Sequence, residues 1–317
     1  MAKLAVFIHG MWGTPDVWRN WRSRLEARGW QTLAPALRHH DAPPHAPPGA
    51  LGVTSLLDYA ADLERELRAL PEKPVVIGHS MGGLIALLLC ARGLARAGVL
   101  LTPAAPASVI AIRPSNFAAF ARIQMQWGWW RKPHRATLGE ALSHTFNTAD
   151  SREGSERHAG FVHDSGRALF EMAWPWLDDK KATTIDPRLV TVPLLFVAAE
   201  KDRLTPPGVV RRTAARFAHV SDYLEYPNQG HWVVGQPFAL LFNVCTKNGN
   251  PAELVAVDAQ MPERKRGMTA KPAIVSAGDG RYRAEGMMFD RSGRWELAID
   301  VRAGEESERL THEIILK

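Results

Sequence analysis

Cysteine is scarce in this chain: there are two in 317 residues, Cys90 inside an apolar run and Cys245 far along the sequence. Two such residues make no disulfide framework and fit a reducing compartment, where each reads as a small buried hydrophobe. Long apolar runs are lacking as well. The longest, "LIALLLCA" at 84–91, falls well short of the ~20 residues that cross a bilayer. The start, "MAKLAVFIHG", passes from one lysine into a strand-like run and a glycine turn, without the longer apolar region and small-residue cleavage site of a secretion signal. The expectation is a cytoplasmic chain with no membrane span. Dense charge of one sign is missing too. The net charge is +6, but Lys and Arg are scattered and the densest run, "ERKRG" at 263–267, is short. That pattern excludes a nucleic-acid footprint and leaves solubility with a mild attraction to anions.

What is present is a composition of 46% hydrophobic and 23% charged residues, enough to bury a sizeable core and incompatible with disorder. The length favours two domains over one. The positive excess lies before residue 235, a shift that supports a boundary there, with domains over 1–235 and 236–317.

The first two hundred or so residues alternate short apolar runs with amphipathic segments, the pattern of β-α units around a mostly parallel sheet. "LAVFIHG" reads as a buried strand; Thr14 and Pro15 supply an N-cap and a first helical residue; Val17, Trp18, Trp21 and Leu25 follow at helical spacing until Gly29. "WQTLAPAL" reads as a second strand, opening into the Pro-rich loop "RHHDAPPHAPPGALG". Thr54 or Ser55 then caps a helix that carries Leu56, Tyr59, Leu63, Leu67 and Leu70. "VVIG" is a strand that turns directly into "GHSMGGLIALLLCARGL", a helix apolar on nearly every side and therefore central. "AGVLLTPA" is another strand. From 113 to 185 the rhythm breaks into a Trp-, Arg- and His-rich helical insertion of the kind that forms a cap. It returns with "VPLLFVAAEKD", a helix near 207–218 and "SDYLEYP".

Beyond 235 the texture is β. "GRWELAIDVR" alternates Trp295, Leu297, Ile299 and Val301 with Glu296, Asp300 and Arg302, and turn signals at 248–249, 279–280 and 292–293 separate such runs. A small antiparallel β-sandwich is expected there. "FALLFNVC" fits either period, and the strand reading is favoured because an Asn-Gly turn and "ELVAVDA" follow.

Chemistry concentrates at Gly78-His79-Ser80-Met81-Gly82, a G-x-S-x-G motif between a strand and a helix. Serine on so sharp a bend takes strained backbone angles, and flanking glycines let strand and helix pass closely. The Met81 N–H, at the positive start of the helix, can donate to a developing oxyanion. "HGMWG" at the end of the first strand offers the Met11 N–H as a second donor. Serine needs a base, and the base needs an acid to hold its tautomer. Asp202, just past "VPLLFVAAEK", and His231, after the last strand-like run, follow Ser80 in the chain order that this motif demands. Glu200 is the nearest rival to Asp202.

Four segments, "FIHGMWG", "VIGHSMGG", "EKDRLTPP" and "GHW", give the chain over residues 3–235 a resemblance to the α/β-hydrolase family, with 113–185 in the place of that family's variable cap. The resemblance implies a Ser80-Asp202-His231 triad, the Met11 and Met81 amides as an oxyanion hole, and no cofactor. Ser at position 80 disfavours the members that use an aspartate nucleophile. In the tail, "VDAQMPERKRGM" and "GDGRYRAEGMMFDRSGRWEL" resemble the small YtkA-like or FixH-like immunoglobulin-type domains. That family has histidines around the first of these segments where this chain has Arg264 and Arg266, so the likeness speaks for a fold and not for a metal site.

Other residues carry weaker signals. His9 and His79 brace turns within the two motifs. His39, His40 and His45 sit irregularly in a Pro-rich loop and read as solvated rather than metal-binding. The insertion's Trp127, Trp129, Trp130, Trp174 and Trp176 divide between packing and an apolar pocket; Trp127 and Trp130 are assigned to the pocket with Trp12 and Trp232. Met261, Met268, Met287 and Met288 read as core. The expected activity is hydrolysis of an ester, or less favourably a thioester or activated C–C bond, of a mainly hydrophobic small molecule. The competing reading is a ligand-binding or scaffold protein whose β-sandwich recruits a partner. If neither a helix at "QPFALLF" nor the sandwich covers the sheet after His231, the exposed apolar face would drive oligomerisation.

Overall fold

In the computed structural model the described residues are 3–111, 114–234, 238–243, 253–262, 266–268, 272–278, 281–287, 293–303 and 306–316. They divide into two compact units, Met1–Gly235 and Gln236–Lys317.

The first unit is built on β1 (Leu4–Ile8), β2 (Gln31–Leu33), β3 (Val75–His79), β4 (Ala97–Leu101), β7 (Leu194–Ala199) and β8 (Ser221–Tyr226). They form one six-stranded sheet in the order β2-β1-β3-β4-β7-β8, and every pairing is parallel. The expected mostly parallel sheet is therefore present. β2 is shorter than "WQTLAPAL" suggested, because the chain leaves the sheet after Leu33. Along β1 the pleat sends Val6 and Ile8 to one face and Ala5 and Phe7 to the other, and both sets are buried in separate clusters. A strand buried on both faces needs no polar alternation, which is why it reads as a continuous apolar run.

One face is covered by α2 (Leu56–Arg68), α3 (Met81–Ala91) and α8 (Pro207–Arg216). Ser55 caps α2: its Oγ accepts from the Leu57 N–H at 3.1 Å while its own N–H donates to Asp58 Oδ2 at 2.8 Å, the reciprocal arrangement that ends a helix cleanly. From Met81 to Cys90 every residue of α3 is buried. Burial also pushes the Cys90 thiol up to about 12, so it packs as an inert hydrophobe; Cys245 lies outside the described residues. On the other face Trp18 packs on Phe7 at 5.0 Å between ring centroids, at the end of a short 3-10 turn that Pro15 opens, with α1 (Arg19–Glu26) following.

Between β4 and β7 the chain leaves the sheet for an insertion. It contains α4 (Pro114–Gln124), α6 (Ser151–Ala159), α7 (Gly166–Ala173) and a minimal antiparallel pair, β5 (Pro133–His134) with β6 (Asp164–Ser165). A helical turn, α5 (Leu138–Glu140), runs into a wider π-type turn over Ala141–Thr145.

In the second unit β10 (Glu253–Met261), β11 (Arg266–Gly267), β14 (Gly293–Ala303) and β15 (Glu306–Leu316) form one antiparallel sheet, and β9 (Phe238–Asn243), β12 (Ala273–Gly278) and β13 (Arg281–Met287) form another. Leu254, Val257, Ala259, Met261, Ala284, Met287, Trp295 and Leu297 share one core between them, so this is a small β-sandwich. Met268 packs against that core, and Met288 lies outside the described residues. "FALLFN" is a strand of the sandwich, not a helix on the first sheet. The expected turns at 248–249 and 279–280, together with Ser292 of the third turn and Arg264, also lie outside the described residues.

Candidate active site

The carboxyl ends of the parallel strands point to one edge of the sheet, and the loops that leave β1, β3, β4, β7 and β8 carry the candidate residues. Ser80 follows β3 at φ 55° and ψ −120°, a conformation that L-residues avoid and that only the surrounding packing can hold. The packing is visible in its neighbours. A Cβ on Gly78 would overlap the carbonyl of Gly82, so strand and helix could not pass with any larger residue there. The turn after β1 is equally close: a Cβ on Gly10 would lie 3.0 Å from both the His79 carbonyl oxygen and Ser80 Cβ. The Met11 amide thereby comes to the same corner as the elbow. Neither the Met11 nor the Met81 N–H donates to another group among the described residues, and both residues line the cavity above Ser80.

His231 and Asp202 meet from the loops after β8 and β7. His231 Nδ1 and Asp202 Oδ2 are 2.8 Å apart and both side chains are buried. Asp202 is held by three further donors: the Leu204 and Thr205 N–H groups reach Oδ1 at 2.8 and 2.9 Å, and the Thr205 hydroxyl lies 2.8 Å from Oδ2. Burial pushes the Asp202 carboxyl up, but the adjacent His231 and these hydrogen bonds outweigh it and hold the carboxyl below its ordinary value. Facing a carboxylate, which only accepts, His231 Nδ1 is the donor of this pair. Glu200 is not part of this pair; its Oε2 accepts from the Asn228 N–H at 2.7 Å at the surface.

Two groups that sequence reading treated as bracing or overlooked hold the His231 loop. His79 Nε2 donates to the His231 carbonyl at 2.9 Å, and the Thr102 hydroxyl donates to the same oxygen at 3.2 Å. Burial, with neighbouring His231, lowers His79 to about 3, so it stays a neutral donor. Thr102 follows β4, whose end bears no carboxylate; the strand supplies a hydroxyl there instead. Thr205, embedded in "EKDRLTPP", is another residue of the candidate site that escaped notice. Its side chain gives no pattern of its own in the sequence.

Ser80, half-buried, lines the cavity together with His231. Among the described residues no hydrogen bond joins the Ser80 hydroxyl to the imidazole. Contacts of this kind are often long before a substrate binds.

The cavity has a volume of about 190 Å³ and opens to solvent. Trp12, Phe120, Trp174, Trp176, Trp232 and Ile110 line it, and no Asp, Glu, Lys or Arg does so among the described residues. Trp12 and Trp232 therefore stand where the sequence assigned them. Trp127 and Trp130 do not: Trp127 is 87% exposed and meets Trp130 edge-on at 5.6 Å, and Trp130 in turn leans on Trp129 outside the cavity. Trp174 and Trp176 take the pocket positions, because the chain after α7 runs along the cavity wall while the turn after α4 faces away from it.

The histidines of the Pro-rich loop also divide. His45 is exposed and His39 half-buried, but His40 is fully buried, contrary to the solvated expectation. It faces a carboxylate, Asp164. His9 Nδ1 donates to the Gly10 carbonyl at 3.0 Å while its Nε2 accepts from the Leu37 N–H at 3.2 Å. That ring braces the turn after β1. Burial, with His40 beside it, lowers His9 to about 3.

The model of the alpha/beta hydrolase family matches residues 5–244. No curated protein matches the chain. Among solved structures, an extracellular α/β-hydrolase from a Paenibacillus species is 18% identical over 72% of this chain and 90% of its own, with a TM-score of 0.56. The monoacylglycerol lipase of Paleococcus ferrophilus is 20% identical over 74% of this chain and 88% of its own, at 0.53. A pyrethroid hydrolase from Sphingobium faniae is 17% identical over 73% and 90%, also at 0.53. Identities this low establish a shared fold and leave the substrate open.

Proposed function

The chain belongs to the α/β-hydrolase family, and on that premise we propose that it is a cofactor-independent serine hydrolase that cleaves an ester of a hydrophobic small molecule. The observation that carries this reading is the convergence on one apolar cavity of a serine with strained backbone angles and a buried histidine–carboxylate pair. His231 Nε2 takes the Ser80 proton as Oγ attacks the substrate carbonyl. The Met11 and Met81 amides donate to the oxygen that becomes negative, each such donor being typically worth ~2.7–4 kcal/mol in the transition state. Asp202 stabilises the imidazolium without taking its proton. His231 then protonates the leaving alcohol, and a water, activated by the same imidazole, releases the acid from Ser80.

The uncharged aromatic lining supports an apolar acyl or alcohol portion, since a buried charge on the ligand would find no partner there. We take residues 1–235 as the catalytic domain and 236–317 as an immunoglobulin-type module, a reading supported by the module's two antiparallel sheets around Trp295.

Labelling with a fluorophosphonate tests the reading. The expected result is one adduct on Ser80, absent in Ser80→Ala, with turnover of p-nitrophenyl esters lost in the same variant. A wild-type protein that binds such esters but leaves Ser80 unlabelled would instead favour the ligand-binding alternative.

A further inference from the structure

Beneath the turn that carries Met11 lies a second buried histidine–carboxylate pair, remote from Ser80 in sequence and absent from the cavity wall. Asp164, in β6 of the insertion, and His40, in the Pro-rich loop after β2, are each only 1% exposed. The Asp164 carboxylate accepts four hydrogen bonds. Oδ2 takes the Trp12 N–H at 3.1 Å and His40 Nε2 at 3.0 Å; Oδ1 takes the Tyr59 hydroxyl at 3.0 Å and the Ser165 N–H at 2.6 Å. A carboxylate has about four lone-pair positions, and all are used by donors from four separate segments. His40 Nδ1 faces the Arg38 carbonyl at 3.2 Å, so both ring nitrogens address acceptors.

The residue gripped by this carboxylate is itself unusual. Trp12 sits at φ 64°, in the left-handed region that an aromatic residue adopts only when its surroundings impose it. The insertion imposes it three times over: through Asp164 at the Trp12 N–H, through the His134 carbonyl at Trp12 Nε1 (3.2 Å), and through the Val162 N–H at the Trp12 carbonyl (2.9 Å). The peptide that ends at the Trp12 nitrogen begins at Met11. Fixing that nitrogen fixes one end of the Met11 residue, whose own N–H is a candidate oxyanion donor.

We propose that Asp164 is a positioning residue for the oxyanion turn, which holds the Trp12 amide and thereby aims the Met11 amide at the oxygen above Ser80. This rests on the serine-hydrolase reading. It assigns the insertion a second task besides walling the cavity, namely completing the catalytic corner from beneath. The carboxylate touches no substrate, and its effect passes entirely through the Met11–Trp12 backbone.

Asp164→Asn is the discriminating variant. Asparagine keeps one acceptor oxygen but turns an NH₂ toward two of the four donors, so the turn loosens while the volume is unchanged. Misplacement of a catalytic group by about 1 Å typically costs about 10²-fold in rate, so kcat per fluorophosphonate-titrated site falls on that order while KM holds within about threefold. The readout that a merely structural role would not move is affinity for a trifluoromethyl ketone, which forms an oxyanion on Ser80. It should drop in parallel with kcat, while affinity for the corresponding alcohol, which forms none, stays constant. A variant that only folds less well would lose titratable sites with kcat per site intact, and that result overturns the proposal. If Asp164→Asn does not fold, Tyr59→Phe decides: a lower kcat per site at constant KM supports it, and unchanged kcat overturns it. Wild-type protein that does not label at Ser80 would overturn the hydrolase reading and this inference together; labelled, active wild type beside an unaltered Asp164→Asn overturns the inference alone.

Discussion

Replacing Asp202 by asparagine separates orientation from charge at the proposed base. Oδ1 accepts from the Leu204 and Thr205 N–H groups, so the asparagine oxygen must stay on that side to keep two buried amides satisfied. The NH₂ is then forced to the side of His231 Nδ1, now 2.8 Å from the carboxylate oxygen that it replaces. A donor facing Nδ1 requires that nitrogen to accept, which moves the imidazole proton to Nε2 and leaves no lone pair for the Ser80 hydroxyl. The same substitution in the serine-protease template lowers kcat by ~10⁴, roughly 5.4 kcal/mol at 1.36 kcal/mol per decade. Thr205 Oγ1 lies 3.4 Å from Nδ1 and can still accept from or donate to the ring, which limits but does not abolish the loss. The fold should lose far less, about 1–3 kcal/mol for one imperfect buried contact. The assay is kcat on a p-nitrophenyl ester, normalised to folded protein by circular dichroism. An Asp202→Asn protein that stays folded and keeps kcat within about tenfold of wild type would refute the assignment of His231 as a base oriented by Asp202.

Gly78→Ala places a methyl group into the Gly82 carbonyl; an overlap with backbone of this kind costs about 1–3 kcal/mol, so thermal melting should fall by several degrees, and an unchanged melting temperature would contradict the close approach. Trp176→Ala removes a wall of the cavity and should lower kcat/KM about tenfold for long-chain p-nitrophenyl esters and little for acetate, whereas Trp127→Ala, whose ring lies outside it, should leave the whole chain-length series unchanged. Acid stability follows from His9 and His79, both lowered to about 3 in the fold by burial. Below pH 6.5 the unfolded chain binds protons at these positions and the folded chain does not, so stability falls with pH by up to about 2.7 kcal/mol per unit for the pair. His40 has the opposite sign. Its folded pKa is raised: burial works against that, and Asp164 outweighs it. Its contribution is therefore complete below pH 6.5 and is lost only as pH climbs through the folded value. Urea midpoints measured between pH 6.5 and 5 should decline; a flat profile would mean that the two neutral rings are not as enclosed as they are here.

The parallel sheet, its order of loops and the residues of the candidate site were legible because each rests on a local rule. β1, β3, β4 and β7 are runs of apolar residues because both faces of the sheet are covered. Gly78 and Gly82 are glycines because a methyl group at either would strike backbone, and that steric demand is written as a five-residue motif. Asp202 and His231 could be ordered along the chain by the logic of the motif, without knowledge of where the loops run. "FALLFN" fits two periods, and the strand reading that the following turn favoured is what its pairing with β13 shows.

What no local rule reaches is the direction in which a side chain on an irregular segment points. Five tryptophans in the insertion look alike in sequence, yet Trp174 and Trp176 wall the cavity while Trp127 stands in solvent, a division made by how the turns after α7 and α4 pack. His40, in a loop of prolines and histidines, becomes a buried donor because a carboxylate 124 residues away is folded against it. Hydrophobic periodicity and backbone sterics act over a few residues, so the sheet, the elbow and the identity of the groups that could react were already set by the order of amino acids. Which aromatic rings line the cavity, and which groups hold the Trp12 backbone, depended on packing, because those contacts join segments that only the folded insertion brings together.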